Sequence, residues 1–161
     1  MSTKGIEQTM SEKIKSSTRH FIAYTLCIFS LSSVWAQSDF AQVAAKEPGA
    51  QVTASGLVFR SLKDGQGASP SATDKVKVHY RGTFPDGKEF DSSYKRNQAI
   101  EFPLNGVIPC WTEGVQLMKM GGKAKLTCPP HIAYGSRGAG GVIPPNATLQ
   151  FEVELIAIAG K

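Results

Sequence analysis

The amino-acid sequence predicts an α+β domain in which an antiparallel β-sheet packs against one short α-helix. Residues 76–80 and 149–155 alternate apolar and polar side chains, which is the pattern of half-buried β-strands. Another segment has helical spacing instead, with Trp111, Val115 and Met118 at positions i, i+4 and i+7. A sheet and a helix that each have one apolar face bury these faces against each other, which defines the α+β class.

The first half of the predicted domain consists of short extended segments separated by turns. A strand begins at residues 57–59 and is ended by the glycine-containing segment 63–67. The alternating strand 76–80 follows. The segment 84–90 has a Pro-Asp-Gly turn between two phenylalanines, which predicts a β-hairpin. Residues 101–104 form a further short extended segment.

The second half contains the helix, two strands and a long loop. Pro109, a residue tolerated in a first helical turn, precedes the helix, and Gly121 with Gly122 ends it. Residues 123–128 alternate polar and apolar side chains, as a strand does. A loop rich in glycine and proline over residues 129–145 then leads to the last strand.

The chain organisation indicates export. With 161 residues, 41% of them hydrophobic, the chain suits one globular domain and a smaller segment. We expect a cleaved signal peptide over residues 1–36, because basic residues precede a short apolar run and Val34 and Ala36 have cleavage-site spacing. The run has about 15 residues, fewer than the roughly 20 that span a bilayer. Residues 37–54 are predicted to be a linker and residues 55–161 the globular domain.

This N-terminal segment predicts a periplasmic or secreted protein. A lipid anchor on Cys27 is disfavoured, because Leu26 stands where a small residue would be expected. Met10 is an alternative start to Met1. The linker is too short for a helical dimerisation domain, so we expect a monomer.

Charge and spacing argue against several function classes. Residues 37–161 carry 14 basic and 11 acidic side chains, a formal charge of +3 without a basic run, so nucleic-acid binding is not indicated. The glycine-rich segment 135–141 does not join a strand to a helix in a βαβ unit, which makes a phosphate site improbable. The cysteines and histidines lack the close pairing of zinc ligands, so no metal is expected.

The cysteines pose a question that local sequence leaves open. Removal of the signal peptide leaves Cys110 and Cys128, an even pair in a compartment that permits oxidation. Cys110 stands next to Trp111. From these residues alone, Cys110 can be a nucleophile, a metal ligand, half of a disulfide or a buried thiol.

Five motifs in chain order, from about Gly56 to Ile158, resemble those of one family, the FKBP-type (FK506-binding) peptidyl-prolyl cis-trans isomerases. The form of the motif at residues 107–114 is more similar to the secreted bacterial branch of the family. The motifs are Val78-His79-Tyr80-x-Gly82, Asp86-Gly87-Lys88-x-Phe90-Asp91-Ser92-Ser93, Val107-Ile108-Pro109-x-Trp111-x-x-Gly114, Ala133-Tyr134-Gly135, and Ile143-Pro144-Pro145-Asn146-Ala147-Thr148-Leu149-x-Phe151-x-Val153-x-Leu155. Each motif is weak alone, and their common register makes the resemblance specific. It implies an antiparallel sheet wrapped around one short helix.

The resemblance implies an apolar pocket for proline. It places aromatic walls and floor at four positions, with Trp111 beneath the prolyl ring: Tyr80, Phe90, Trp111 and Phe151. It places the rim and lip at Val107, Ile108 and Ile143, with the Ile108 backbone N–H as a donor to a substrate carbonyl. Asp91 matches a carboxylate at the pocket edge, Tyr134 a hydroxyl on the long loop, and Arg96 a residue that supports Tyr80 and Asp91.

These positions divide into two expected roles. The residues expected to act in catalysis are Tyr80, Asp91, Ile108 and Tyr134. Those expected to bind substrate are Phe90, Arg96, Val107, Trp111, Ile143 and Phe151. The sequence departs from the family at two places. Ile100 stands where many members have phenylalanine, and the loop tip 139–141 lacks a bulky or imidazole side chain. They bear on substrate preference rather than on the prolyl pocket.

The implied activity is isomerisation of X-Pro bonds in the folding of exported proteins. It requires no nucleophile, metal or cofactor, and its partners are unfolded or partly folded proline-containing polypeptides, with macrolides such as tacrolimus and rapamycin as inhibitors. A secreted chaperone or proline-peptide binding module that uses the same pocket without turnover is the alternative. Cys110 begins the helix, and Cys128 lies on the apolar face of the sheet, where the resemblance implies that the helix packs. We therefore predict a Cys110–Cys128 disulfide, two buried thiols being the alternative.

Overall fold

The computed structural model describes residues 40–161, so the predicted signal peptide and Cys27 lie outside the described residues. Within this range an antiparallel sheet has the strand order β1-β2-β6-β7-β3-β4, and β5 pairs with β3. The strands are β1 (Ala50–Val52), β2 (Val58–Lys63), β3 (Lys75–Thr83), β4 (Glu89–Ser92), β5 (Ile100–Pro103), β6 (Lys123–Cys128) and β7 (Leu149–Ile158). Helix α1 (Pro109–Gln116) packs against the sheet. The predicted α+β class is confirmed.

The two longest strands, β3 and β7, form the centre of the sheet. They pair antiparallel, with Tyr80 opposite Val153 and Gly82 opposite Phe151. Alternate residues of both strands are buried, as the period-two pattern of the sequence predicts. The buried face of each strand therefore faces the core beneath α1.

The predicted hairpin connects β3 to β4. The Phe84 N–H donates to the Lys88 carbonyl at 2.9 Å, and Gly87 takes a positive φ of 84° in the turn. Because β4 pairs with one half of β3 and β5 with the other half, both short strands lie along the same edge. This arrangement places side chains of β3, β4 and β5 around one opening.

Helix α1 is shorter than the sequence predicts. It begins at Pro109 but ends at Gln116, before the glycine pair that was expected to end it. The N–H groups of Leu117 and Met118 donate to the carbonyls of Gly114 and Val115, so i→i−3 bonds tighten the last turn and stop the α-helix. Met118 nevertheless stays in the core.

The helix approaches the sheet closely at one point and is bonded to it at another. A Cβ on Gly114 would lie 2.7 Å from the Leu126 Cδ2 atom, so a larger residue there would displace the Leu126 side chain. Cys110 and Cys128 form the predicted disulfide, with their Cα atoms 5.8 Å apart and both side chains fully buried. The bond joins the start of α1 to the end of β6.

The segment predicted as a linker, residues 37–54, contains regular secondary structure from residue 40 onward. Ala50–Val52 form the edge strand β1, which pairs antiparallel with β2. Residues 40–45 are helical. Glu47 forms an ion pair with Arg60 and another with Lys125, whose Nζ atom lies 3.2 Å from the Glu47 Oε2 atom. Backbone pairing with β2 and the ion pairs of Glu47 hold this segment on the sheet. Its sequence therefore needs no alternation of apolar and polar residues.

None of the helices in residues 40–161 has the length and apolar character needed to cross a membrane.

Candidate active site

A cavity of about 600 Å³ opens between the inner face of the sheet, strand β5 and the start of α1. It is lined by Tyr80, Phe90, Asp91, Ile100, Glu101, Phe102, Gly106, Val107, Ile108, Trp111, Tyr134 and Phe151. Eight of these residues are predicted site residues. The strands, the helix start and the long loop therefore bring side chains together that are far apart in the sequence.

The deep end of the cavity is aromatic. Trp111, 5% exposed, meets Tyr80 and Phe151 edge to face, with ring centroids 5.3 and 5.2 Å apart. Phe151 also meets Phe90 at 5.6 Å and 90°. These perpendicular contacts hold each ring in one orientation and leave apolar surface facing the opening.

Gly82 on β3 makes the aromatic wall possible. A Cβ there would lie 2.5 Å from the Phe90 Cζ atom and 3.1 Å from the Phe151 Cε1 atom. Real Cβ atoms do not approach that closely, so any side chain at position 82 would displace the rings. The glycine of the Val78-to-Gly82 motif is thus a positioning residue for the cavity.

Three polar side chains are linked at the edge of the cavity. The Tyr80 hydroxyl and the Arg96 guanidinium both donate to the Asp91 carboxylate. Arg96 also donates to the Tyr80 hydroxyl oxygen at 2.9 Å, and the Ser92 N–H donates to Asp91 at 2.8 Å. Hydrogen bonds to an ionised group are the stronger kind, so this triad fixes the wall ring and the carboxylate together.

The electrostatics of the triad keep Asp91 ionised. Partial burial raises the pKa of Asp91, but the hydrogen bonds from Tyr80, Arg96 and Ser92 outweigh it and hold the pKa below the ordinary value of 3.8. Burial and the bond to Asp91 raise the pKa of Tyr80. Burial, and then the charge of Asp91, raise the pKa of Tyr134. At neutral pH the site thus combines one anion with two protonated phenols.

The rim is formed by Val107, Ile108 and Tyr134. The Ile108 carbonyl accepts the N–H groups of Trp111 and Thr112 in the first turn of α1. Within residues 40–161, the Ile108 N–H donates to no backbone carbonyl outside helices and strands. Tyr134 is 38% exposed and lines the cavity from the long loop.

Two predicted binding residues do not line the cavity. Arg96 reaches it only through Asp91 and Tyr80. Ile143, expected at a hydrophobic lip, is 9% exposed and belongs to the core. Its backbone forms a bridge with Ala139, and the Gly138 backbone lies so close that a Cβ there would be 2.2 Å from the Ile143 oxygen. This tight turn draws Ile143 inward.

Sequence reasoning gave no site role to Phe102, which lines the cavity. Its ring lies 5.5 Å from that of Trp111. The only sequence signal is the spacing of Ile100 and Phe102, which share one face of the four-residue strand β5. A segment of this length is too short for the alternation to be diagnostic.

The described residues hold no cluster of three or more His, Cys, Asp or Glu side chains placed as metal ligands. Cys110 is bonded to Cys128, so it is not a free thiol. The nucleophile and metal-ligand alternatives for Cys110 are therefore wrong for the oxidised protein.

Comparison with known proteins decides the family. The model of the FKBP-type peptidyl-prolyl cis-trans isomerase family matches residues 66–156. The chain belongs to this FKBP family. It is 54% identical over 114 residues to the FKBP-type 22 kDa peptidyl-prolyl cis-trans isomerase of Escherichia coli K12, covering 71% of this chain and 55% of that protein. It is also 54% identical over 120 residues to FkpA of Aeromonas hydrophila, covering 74% of this chain and 44% of FkpA. The chain thus spans about half the length of these curated FKBP relatives.

Solved structures agree with the FKBP assignment. A crystal structure of a peptidyl-prolyl cis-trans isomerase from Pseudomonas syringae pv. tomato has a TM-score of 0.72 and 41% identity, covering 76% of this chain and 90% of that chain. The crystal structure of FkpA from Escherichia coli has a TM-score of 0.76 and 40% identity, covering 98% and 73%. The resemblance that the sequence motifs indicate is confirmed.

Proposed function

We propose that this protein is a peptidyl-prolyl cis-trans isomerase that binds proline in the aromatic cavity. The observation that carries the proposal is the cavity itself, in which Trp111 closes an apolar floor and the Tyr80-Asp91-Arg96 triad stands at one edge. Membership of the FKBP family supports it.

Isomerisation of a prolyl bond requires a cavity of suitable polarity and hydrogen bonds to the twisted amide. Rotation about an amide bond has a barrier of roughly 18–20 kcal/mol, because resonance is lost at the twisted transition state. Moving the bond from water into an apolar cavity disfavours the charge-separated planar form and so lowers the barrier. Hydrogen bonds that the twisted amide makes better than the planar one select the transition state.

Different residues of the cavity contribute different parts of this environment. The rings of Trp111, Phe151 and Phe90 remove water from the proline ring. The Ile108 N–H donates to a substrate carbonyl and holds the chain while the bond turns. Asp91 and Tyr134 meet the amide at the open side, where Asp91 is anionic and Tyr134 is a protonated donor.

We further propose the setting of this reaction. Unfolded or partly folded polypeptides that contain proline are the substrates, and tacrolimus and rapamycin compete for the same cavity. The basic and apolar N-terminal segment supports a periplasmic or secreted location. The protein acts as a monomer.

The test is the rate of cis-to-trans isomerisation of a Leu-Pro or Phe-Pro peptide with the purified chain. We expect acceleration that falls at least tenfold in Asp91→Ala, since hydrogen bonds to charged groups contribute about 1.5–3 kcal/mol. Asp64→Ala, which changes an aspartate that accepts only from Ser61, is the matched control and keeps full activity. Circular dichroism checks that both variants fold.

The same variants separate the isomerase from the chaperone alternative. If the wild-type chain leaves the peptide rate unchanged yet suppresses aggregation of an unfolded client, and Asp91→Ala suppresses it equally, the binding-module function replaces the one proposed.

A further inference from the structure

An open groove lies next to the prolyl cavity, along the outer side of α1. Val107 lines both the cavity and the groove, so the two adjoin at this residue. Pro109, Glu113 and Leu117 line the groove further along the helix. They lie on the side of α1 opposite the core residues Trp111 and Val115. A polypeptide with its proline in the cavity can therefore continue over Val107 onto the helix.

The groove combines apolar walls with a single charge. Val107, Pro109 and Leu117 present aliphatic surface, and Leu117 is 48% exposed. Among residues 40–161, Glu113 is the only charged side chain that lines the groove. A lysine or arginine side chain complements this surface. Its apolar stem can cover the hydrophobic walls, and its cationic end can meet the carboxylate.

The Glu113 carboxylate forms no ion pair with a cation of residues 40–161. Ser55 donates its hydroxyl to the Oε2 atom of Glu113, which leaves the Oε1 atom available. The ion pairs among residues 40–161 use Glu47, Glu89, Glu101 and Glu152 but not Glu113. Since no cation of the described chain neutralises this carboxylate, a cation of the substrate meets an uncompensated negative charge there.

We propose that this groove binds the substrate segment beside the proline and selects a lysine or arginine side chain through Glu113. The inference rests on the proposed function, because it assigns a specificity-determining residue to the same site. Glu113 lies four residues after Pro109, about 6 Å along the helix axis at 1.5 Å per residue. An extended chain advances roughly 3.3 Å per residue, so the basic residue stands two or three positions from the proline.

The experiment compares matched peptides on the full chain. A Phe-Pro peptide with alanine at the second and third positions on both sides of the proline is the parent, and four variants each carry one lysine. We measure both kcat/KM for isomerisation and Kd by tryptophan fluorescence at low salt. At one of these positions lysine improves Kd and kcat/KM by about threefold, as exposed ion pairs do, and the gain disappears at high salt.

Variants of the protein assign the effect to Glu113. Glu113→Gln removes the lysine preference and leaves the alanine peptide unchanged, and Glu113→Lys transfers the preference to a glutamate peptide. Glu152→Gln, which changes a carboxylate paired with Lys123 at 2.9 Å away from the groove, retains the preference.

The two readouts separate the inference from the proposed function. Turnover of the alanine peptide with no lysine preference at any position overturns the groove and leaves the isomerase standing. A lysine preference in Kd that Glu113→Gln abolishes, without turnover, supports the groove and overturns the isomerase. Equal Kd for all peptides, without turnover, overturns both.

Discussion

Asp91 is the residue on which the polar edge of the cavity is built. It accepts from the Tyr80 hydroxyl, the Arg96 guanidinium and the Ser92 N–H, and all three favour its ionised form. Tyr80 in turn packs its ring against Trp111 in the floor. The carboxylate therefore links the charge of the site to the position of an aromatic wall.

The acid titration of Asp91 tests this arrangement. Its folded-state pKa lies below the ordinary value of 3.8, so the hydrogen bonds stabilise the fold above that pH. This stabilisation is lost as the pH falls through the folded-state pKa. We expect the carboxyl carbon NMR signal to titrate below pH 3.8, so Asp91 stays ionised and causes no pH dependence of isomerase activity between about pH 5 and 8.

Removal of one donor provides the contrast. Tyr80→Phe deletes one hydrogen bond to Asp91, so the midpoint moves up toward 3.8. A wild-type midpoint above 3.8, or an unchanged midpoint in Tyr80→Phe, contradicts the triad.

Gly82 gives a second prediction at the residue scale. Gly82→Ala places a Cβ 2.5 Å from the Phe90 ring, so the ring moves or the strand bends. Overpacking of this kind costs about 1–3 kcal/mol, and the displaced ring narrows the cavity. We expect a lower free energy of unfolding in urea and a KM raised several-fold. Gly87→Ala, at an exposed turn with φ of 84°, tests for a purely backbone effect and leaves KM unchanged.

At the element scale, helix α1 carries both the floor and the rim of the cavity. Ile108 precedes it, Trp111 is in its first turn, and Cys110 between them is bonded to the end of β6. Because Gly114 lets the helix lie directly on Leu126, the indole reaches the sheet rings. The position of α1 thus sets the depth of the cavity.

The disulfide contributes to the stability of this element. A sequence separation of 18 residues corresponds to roughly 3 kcal/mol in the chain-entropy account. Reduction in denaturant followed by refolding under reducing conditions should therefore lower Tm by about 10 °C. Peptide mapping after alkylation of the denatured, unreduced protein should find Cys110 and Cys128 unmodified. Modification of both residues would show that the bond does not form.

The elements also show where sequence reasoning succeeds. The strands β3 and β7 alternate over enough residues for periodicity to identify them, and Pro109 marks the start of α1. Strand β1 has three residues and is held by backbone pairing with β2, which leaves no side-chain pattern. The helix end at Gln116 depends on local hydrogen-bond geometry, which spacing does not reveal.

The site follows the same division. Motif register predicted the positions of the cavity rings at Tyr80, Phe90, Trp111 and Phe151, because all four lie within the matched motifs, Phe90 even though its strand β4 has only four residues. Phe102 was not assigned because it lies outside the five motifs, and its four-residue strand is too short for alternation to identify its face. Ile143 was assigned to the lip, but the loop closes on itself through Ala139. Loop conformation depends on tertiary contacts that no periodicity records.

At the scale of the whole molecule, the cavity exists only when the sheet is complete. Tyr80 and Phe151 come from β3 and β7, which are about 70 residues apart and pair only in the folded chain. Phe90, Ile108 and Tyr134 come from a hairpin, a helix start and a loop. Activity and global folding should therefore be lost together, at one midpoint in urea.

The most direct test of the account occupies the cavity while turnover is measured. The cis-to-trans rate of a Phe-Pro peptide is recorded with the purified chain as tacrolimus or rapamycin is added. We predict acceleration by the free protein that falls to the uncatalysed rate at about one equivalent of macrolide, with quenching or a shift of tryptophan fluorescence at the same stoichiometry. Acceleration that persists with the cavity filled, or no acceleration by the free protein, would contradict the claim that this aromatic cavity isomerises prolyl bonds.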